Sequence, residues 1–385
     1  MSAFGYELRR LRTAAGLSLQ GLSQVVHYNK GYLSRVETGE RTPTTQLARA
    51  CDDALGTDGR LTELLRGTAA PSAAAADPSV AAAEGACLPV LPPAADPSWA
   101  QPLSDVLGAT RALGQRAPVR TVLPPMLAQL RTLSDLTAPP GDGRHLLGVY
   151  ARFAEYTGWL YQETDDRVGS ARWNAQARQL ARRVGDDSLA AYTVVRDAEL
   201  AMYSGDAAMT IRYAQLAQHD PAATAQTRVL AAHREAQGHA LAYDADRMRA
   251  ALDQALAWQE SGTEAAGHGS RSVGDPHAVT AGWCHYELGR YRHAADQLER
   301  GWNSISPDSR RMRAIIGSRL ALAHLGSPDL DRACEVGREA LRLTLLTESA
   351  TARGQLRLLA RELHRRRGHP PAAALYTELT TLLPR

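Results

Sequence analysis

Residues 17–39 read Leu-Ser-Leu-Gln-Gly-Leu-Ser-Gln-Val-Val-His-Tyr-Asn-Lys-Gly-Tyr-Leu-Ser-Arg-Val-Glu-Thr-Gly. Their apolar spacing predicts two short helices separated by a tight turn. Ser18 is a good N-cap, and Leu19, Leu22, Val25 and Val26 recur at intervals that place them on one side of a helix. His27-Tyr28-Asn29 makes the turn, with Asn29 positioned to cap the second helix. In that helix Leu33 and Val36 point inward at i, i+3, which leaves Lys30, Gly31, Ser34 and Arg35 as an outer, leading edge. Gly39 stands where a left-handed C-cap is expected. Flanking segments continue the pattern. Phe4 to Ala14 carries Leu8 and Leu11 on one face, Thr45 to Leu55 carries Leu47, Ala48, Cys51 and Leu55, and Gly59 to Leu65 makes a last short helix.

Leu17 to Leu22, then Leu33-Ser34-Arg35-Val36-Glu37-Thr38-Gly39 and Arg41-Thr42-Pro43, resemble the helix-turn-helix of the lambda-repressor/Cro (XRE) family. The resemblance implies a five-helix DNA-binding domain over residues 1–66. It departs from the family pattern at two places. His27 stands where the turn usually has glycine, and Leu19 stands where many relatives carry a phosphate-contacting Gln or Thr, a role that leaves Gln20 as the substitute. By position in the motif, Lys30, Gly31, Tyr32, Ser34 and Arg35 are the candidates for base-edge contact. Arg35 suits a bidentate contact to guanine, worth about 1–3 kcal/mol of discrimination; its alternative is an internal ion pair with Glu37 or Glu7. Gly31 would admit close backbone approach, and Tyr32 would pack on a thymine methyl or sugar. Arg10 and Arg41 are candidates for phosphate contact, where positioning rather than sequence reading is decided. One such head covers few base pairs, so the resemblance implies a homodimer reading an inverted repeat in double-stranded operator DNA.

Charge supports that placement. The 385-residue chain has a formal net charge of only +3. Residues 1–49, however, hold seven basic side chains (Arg9, Arg10, Arg12, Lys30, Arg35, Arg41, Arg49) against three acids (Glu7, Glu37, Glu40), a net of +4. Positive potential is therefore concentrated where phosphates would lie. Lys30 is the only lysine in the chain. The Arg- and Ala-rich bias behind that fact points to a GC-rich, actinobacterial source, and a lysine kept at the tip of the reading helix favours a local role for it. The four cysteines, Cys51, Cys87, Cys284 and Cys334, form no Cys-x-x-Cys pair, which argues against a disulfide framework or zinc site. No apolar run approaches the roughly 18 residues of a membrane span. The first helix starts almost at residue 1, leaving no room for a signal peptide, so a cytoplasmic protein with no membrane partner is expected.

Gly67 to Pro102 changes character. It has six prolines before Pro102, little charge and much alanine, and reads as a linker over residues 67–102. From Leu103 to the end the pattern is helical almost throughout. The clearest unit is Ala281-Gly-Trp-Cys-His-Tyr-Glu-Leu-Gly-Arg-Tyr-Arg-His-Ala-Ala-Asp-Gln-Leu-Glu-Arg300, which resembles a tetratricopeptide repeat. Gly289 gives the turn, and the small Ala294 lets two helices approach. Similar turn-plus-small-residue points fall near Ser170, Thr210, Met248, Ala294, Ala333 and Ala373, with separations of 40, 38, 46, 39 and 40 residues. These exceed the roughly 34-residue period of that repeat, and Gly262 to Pro276 accounts for most of the longest gap. The expectation is an all-α chain whose residues 103–385 form a tetratricopeptide-like α-solenoid. About six helix pairs start near His145, behind a leading helical cap from Leu103 to Leu136, and the first helix of each pair lines a concave surface.

That surface is expected to regulate and dimerise. Its aromatic residues, Tyr156, Trp159 and Tyr192, then Trp283 and Tyr286, with Arg196 among them, are candidate ligand contacts for a small aromatic or amphipathic molecule. Burial between helices is their alternative. The layout of the chain resembles peptide-responsive regulators of Gram-positive bacteria. In that group asparagines clamp the peptide backbone, whereas the three asparagines here, Asn29, Asn174 and Asn303, miss the expected first helices. No catalytic constellation is present. His233 and His239 are six apart, so they diverge on a helix rather than share a metal, and no phosphate-binding Gly-rich loop with Lys or Gly-x-Ser-x-Gly motif occurs. No cofactor and no enzymatic activity are expected. The reading is a transcriptional regulator whose operator affinity responds to a small-molecule, peptide or protein effector. Two other readings are an interaction scaffold with a DNA-locating head and a plasmid- or phage-maintenance protein.

Overall fold

The computed structural model describes residues 3–26, 30–38, 43, 45–57, 59–68, 96–138, 143–261, 268–269 and 272–383. The chain divides into two units, Met1–Val90 and Leu91–Arg385. Among the described residues the only extended pairing is an isolated antiparallel bridge between Val273 and Ile305; the rest of the regular structure is helical.

The first unit contains α1 (Ala3–Ala14), α2 (Leu19–Val26), α3 (Lys30–Thr38), α4 (Thr45–Leu55) and α5 (Arg60–Thr68). Its core gathers Phe4 and Leu8 of α1, Leu22 and Val26 of α2, Leu33 and Val36 of α3, Leu47, Ala48 and Cys51 of α4, and Leu61 of α5. Ser18 caps α2 as its position requires, its Oγ accepting from the Gly21 N–H at 3.0 Å. Val25 differs from expectation: it is 52% exposed. On a helix of only two turns the row Leu22–Val26 faces the core, and Val25, about 100° round from Val26, turns outward. Asp52 of α4 caps α5. Its carboxylate accepts from the backbone N–H groups of Leu61 and Thr62, both at 2.9 Å, and from the Thr57 and Thr62 hydroxyls at 2.5 and 2.7 Å. Burial alone would raise the pKa of this group; those hydrogen bonds outweigh burial and hold it below the ordinary aspartate value.

The second unit opens with a short 3₁₀ turn at Pro97–Trp99, then α6 (Ala100–Gly114) and α7 (Val119–Thr137). Six helix pairs follow: α8 (Leu147–Gln162) with α9 (Arg167–Val184), α10 (Asp187–Tyr203) with α11 (Ala207–His219), α12 (Ala225–Leu241) with α13 (Ala245–Ser261), α14 (Pro276–Glu287) with α15 (Tyr291–Asn303), α16 (Arg310–Gly326) with α17 (Leu330–Thr347), and α18 (Ala350–Leu363) with α19 (Pro370–Leu382). Within each pair the helices pack on one another, and from α10 onward each first helix also packs on the first helix of the next pair. That is the connectivity of an α-solenoid.

The local causes repeat as well. Aspartates open many of the helices: Asp166, Asp186, Asp206, Asp275 and Asp329 each accept from the N–H three residues on, at 2.8–3.1 Å. Ser170, Thr210, Met248, Ala294 and Ala333 are all buried in the first turns of second helices. The last point shifts by one residue, because Ala372 rather than Ala373 is buried in α19. In the clearest pair, Gly289 takes φ +71° between α14 and α15. An added Cβ at Gly282 would lie 2.6 Å from a Leu298 side-chain carbon and 3.0 Å from the Ala294 carbonyl oxygen, so two small residues set the close approach.

The succession of pairs curves until its ends meet. Arg311, fully buried at the start of α16, reaches back to the α6–α7 connection and to the end of α8. Its Nε donates to the Gly114 carbonyl at 2.8 Å, its Nη2 to those of Ala117 and Thr347 at 2.7 and 2.9 Å, and its Nη1 to Glu163 Oε2 at 3.0 Å. The Arg311 N–H adds a bond to the Gln115 carbonyl at 2.9 Å, and the Ala350 N–H one to the Glu163 carbonyl at 3.1 Å. The hydroxyls of Ser349 and Thr351 complete the shell of Glu163. The solenoid is therefore closed into a ring by a polar seam, whereas its successive pairs are joined by apolar clusters.

Candidate functional site

In the first unit α3 is held from behind. Leu33 and Val36 are fully buried, and Arg12 of α1 grips the end of the helix through Glu37. Arg12 Nε donates to Oε1 at 2.6 Å and Nη2 to Oε2 at 3.0 Å, while Nη1 donates to the Leu17 carbonyl at 2.7 Å. The Arg12 and Glu37 side chains are only 12% and 5% exposed. One arginine thus fixes α1, the start of α2 and the C-terminal end of α3 in one arrangement. At Gly5 the α1 backbone approaches α3 so closely that a Cβ would lie 2.4 Å from the Val36 carbonyl oxygen and 2.7 Å from that of Glu37.

The outer face then follows. Ser34 on α3 is half-buried and Gln20 on α2 is exposed. Arg10 stands half-exposed on α1 with its guanidinium on Glu7, two contacts at 2.8 Å; Arg60 makes a further 2.8 Å contact to Glu7. The side chains of Lys30, Tyr32 and Arg35, the surroundings of Gly31, and all of Arg41 lie outside the described residues, as does the turn at His27.

In the second unit the ring encloses a cavity of about 560 Å³ lined by α6, the first helices α8, α10, α12, α14 and α16, and the segment leading into α14. Tyr156, Trp159, Tyr192 and Arg196 line it. Trp283 lines a smaller chamber of about 130 Å³ that shares Trp159, Glu199 and Arg234 with the main one. Tyr286 is a correction. Its ring packs edge-on against Tyr291 at 5.6 Å and carries the Arg319 guanidinium 4.9 Å above it, so it lines neither space. Arg319 of α16 lies over both rings, 4.8 Å from that of Trp283 and 4.9 Å from that of Tyr286, and of the two only Trp283 lines the smaller chamber. Over the main cavity, His268 stacks on Tyr192 at 5.3 Å and its Nε2 lies 3.3 Å from the Ser188 hydroxyl.

Charges in the cavity are arranged as a network. Arg111 Nη2 pairs with Glu155 Oε2 at 2.8 Å; Arg196 pairs with Glu199 at 2.5 Å and lies 3.9 Å from Glu155. Gln162 bridges, accepting from Arg196 Nη2 at 2.8 Å. Burial alone would raise the pKa of Glu199, but Arg196, Arg234 and Gln162 outweigh it and hold the carboxyl below its ordinary value. Burial raises the Tyr156 and Tyr192 hydroxyls far above theirs, so both rings remain neutral. His233 is pulled down to about 3 by burial, with Arg234 and His277 acting the same way, which makes it a neutral imidazole at ordinary pH. Sequence reasoning missed Arg234, His233, Glu155 and Gln115 as cavity residues. For Glu155, His233 and Arg234 the signal was present only as positions facing the same side as Tyr156 and Tyr192 on successive first helices, and Gln115, which follows α6, had none.

His239 turns instead to Glu235 at 3.6 Å, while the His233 ring tilts against His277 at 5.6 Å. The C-terminal arginines sit on or after α18, with Arg365 3.6 Å from Glu362 and Arg367 over the Tyr376 ring. No helix among the described residues is long and apolar enough to cross a membrane.

Residues 3–65 match the family model described as a helix-turn-helix domain. No curated protein matches the chain. Among solved structures, the crystal structure of a Rap protein complexed with competence and sporulation factor is similar over 98% of this chain and 97% of that chain, at 11% identity and a TM-score of 0.43.

Proposed function

We propose, from the helix-turn-helix domain at residues 3–65, that this chain is a sequence-specific DNA-binding transcriptional regulator. The observation that carries the reading is the mounting of α3: core leucine and valine behind it, the Arg12–Glu37 clamp at its end, and the basic excess of residues 1–49 around it. A helix held this way presents its outer residues at a fixed register, which base reading needs. Lys30, Gly31, Tyr32, Ser34 and Arg35 are assigned to the major groove, and Arg10, Gln20 and Arg41 to phosphates. Arg10 would exchange part of its Glu7 pairing for the phosphate. The reading is of an XRE-type homodimer on an inverted repeat, without catalytic chemistry of its own.

The second unit supplies the regulation in this reading. An effector that prefers one arrangement of the ring shifts the population of DNA-competent dimers by its difference in affinity for the two arrangements. Chromosome-wide occupancy, measured with and without deletion of the protein, tests the reading. Peaks at promoters whose transcripts change on deletion support it. Occupancy without transcript changes would instead favour a scaffold, and occupancy confined to a replication or partition locus would favour a maintenance protein. Sedimentation at micromolar concentration, with and without bound DNA, tests the dimer, and a monomer in both would overturn that part.

A further inference from the structure

The main cavity has one cation more than it can pair. Arg111 and Arg196 are matched by Glu155 and Glu199 at 2.8 and 2.5 Å. Arg234 lines the same space and, among the described residues, has no carboxylate oxygen within 4.0 Å. Its Nη1 donates to the Gln237 amide oxygen at 2.7 Å and lies 3.6 Å from the Met202 sulfur, and its Nε is buried with no hydrogen-bond partner. Three further buried polar atoms of the lining are also unpartnered: Gln115 Oε1, the Tyr156 hydroxyl and His233 Nε2, the last on a side chain only 1% exposed. Unsatisfied buried groups each carry a penalty of about 1–3 kcal/mol, so four around one void favour an occupant with polar groups of its own.

We propose that the cavity binds a small planar aromatic monoanion, an aryl carboxylate bearing a hydroxyl or similar donor. Its carboxylate meets Arg234, its ring lies among Tyr156, Trp159 and Tyr192, and its donor group reaches Gln115. This deepens the effector reading and rests on it only for the consequence at DNA. The anion follows from three guanidinium groups in the lining against two carboxylates, with Arg234 the one that has no carboxylate oxygen within 4.0 Å among the described residues; the planar ring follows from the aromatic wall, and the size from a volume of about 560 Å³, within the range of small-molecule sites. A peptide fits less well. An extended chain presents an N–H and a C=O at every residue, and four charged groups of this lining, Arg111, Glu155, Arg196 and Glu199, are already engaged with one another.

The full-length chain carries its own reporter, since Trp159 and Trp283 line the two chambers. Tryptophan fluorescence is titrated with 4-hydroxyphenylacetate and 2-hydroxybenzoate, with the matching neutral amides, with hexanoate, and with an unrelated hexapeptide. The expected result is saturable quenching by at least one aryl acid, about tenfold weaker (about 1.4 kcal/mol) for its amide and weaker again for hexanoate. Arg234→Gln should erase the preference for acid over amide, and Arg234→Lys should keep it, so a folding defect in the first variant leaves the second decisive. Tyr192→Leu should weaken acid and amide alike. Equal binding of acid and amide, binding of the hexapeptide alone, or no saturable signal from any aryl acid overturns the proposal. A DNA retention assay with the same acid separates the two ideas: binding without any change in DNA affinity would remove the effector role and leave the site.

Discussion

Replacing Arg311 by alanine attacks the seam that closes the ring. Its side chain makes four hydrogen bonds, to Gly114, Ala117, Thr347 and Glu163, from a fully buried position. Without it, Glu163, 1% exposed, keeps a buried charge supported only by the hydroxyls of Ser349 and Thr351. Breaking a buried pair from one side costs about 3–5 kcal/mol. For a unit of this size each kcal/mol lowers the melting temperature by about 2 °C, so a fall of roughly 6–10 °C in the transition of the second unit is expected. Ordinarily, replacing both partners of a buried pair with apolar residues restores stability. Here the double variant Arg311→Met/Glu163→Leu should remain destabilised by about 2 kcal/mol or more, because three carbonyls lose their donor whichever carboxylate substitute is present. Calorimetry gives the melting shift, and hydrogen exchange gives its location. The amides of Arg311 and Ala350, which cross the seam, should exchange faster while those of α12 and α13 stay protected. A variant melting within 2 °C of wild type, with unchanged exchange at those two amides, would refute the claim that this contact closes the ring.

Other outcomes follow from the same structure. Gly5→Ala should destabilise the first unit by about 1–3 kcal/mol, since its Cβ meets two carbonyl oxygens of α3; calorimetry should show the head transition moving and the other fixed. Arg12→Ala should cost about 3 kcal/mol or more by stranding Glu37, and gel retardation should show a matching loss of DNA affinity because α3 loses its clamp. The pH profile should be set by His233. It stays neutral when folded down to about pH 3, whereas the unfolded chain takes up its proton near 6.5, so stability falls as pH drops below 6.5 and is unaffected above it. Denaturant titrations at pH 7.5 and 5.0 should differ by about 2 kcal/mol from this group, with His268, His277 and His285, also lowered by burial, adding to the slope. His233→Gln should remove that share. Glu199 and Asp52, lowered below the ordinary carboxylate range, lose their contribution only in more acid solution, so the two windows are separable.

Local signals carried much of this architecture. The head was legible because a short motif fixes cap, turn and core positions together: Ser18, Leu22, Leu33 and Val36 each do what their spacing requires. The helix pairs were legible from buried small residues such as Ser170 and Ala294, and the aspartate caps were an equally regular signal that had gone unused. Tyr286 illustrates where such reading stops. A helix faces its own partner, the neighbouring pair and the cavity at once, and period alone does not say which aromatic goes where. The seam was invisible for a deeper reason. Arg311 and Glu163 are 148 residues apart, and the pairing exists only because small rotations between successive pairs accumulate into closure. The same holds for Arg234, whose importance lies in the missing carboxylate rather than in any motif around it.

The central claim, a head that reads sequence through α3, is tested most directly by selecting bound sequences from random duplex DNA. Wild type is compared with a Lys30→Ala/Arg35→Ala variant whose melting temperature is unchanged. The account predicts an enriched inverted repeat for the wild type that vanishes in the variant while weak, salt-sensitive binding to any duplex persists. Enrichment of the same repeat by both proteins would contradict it.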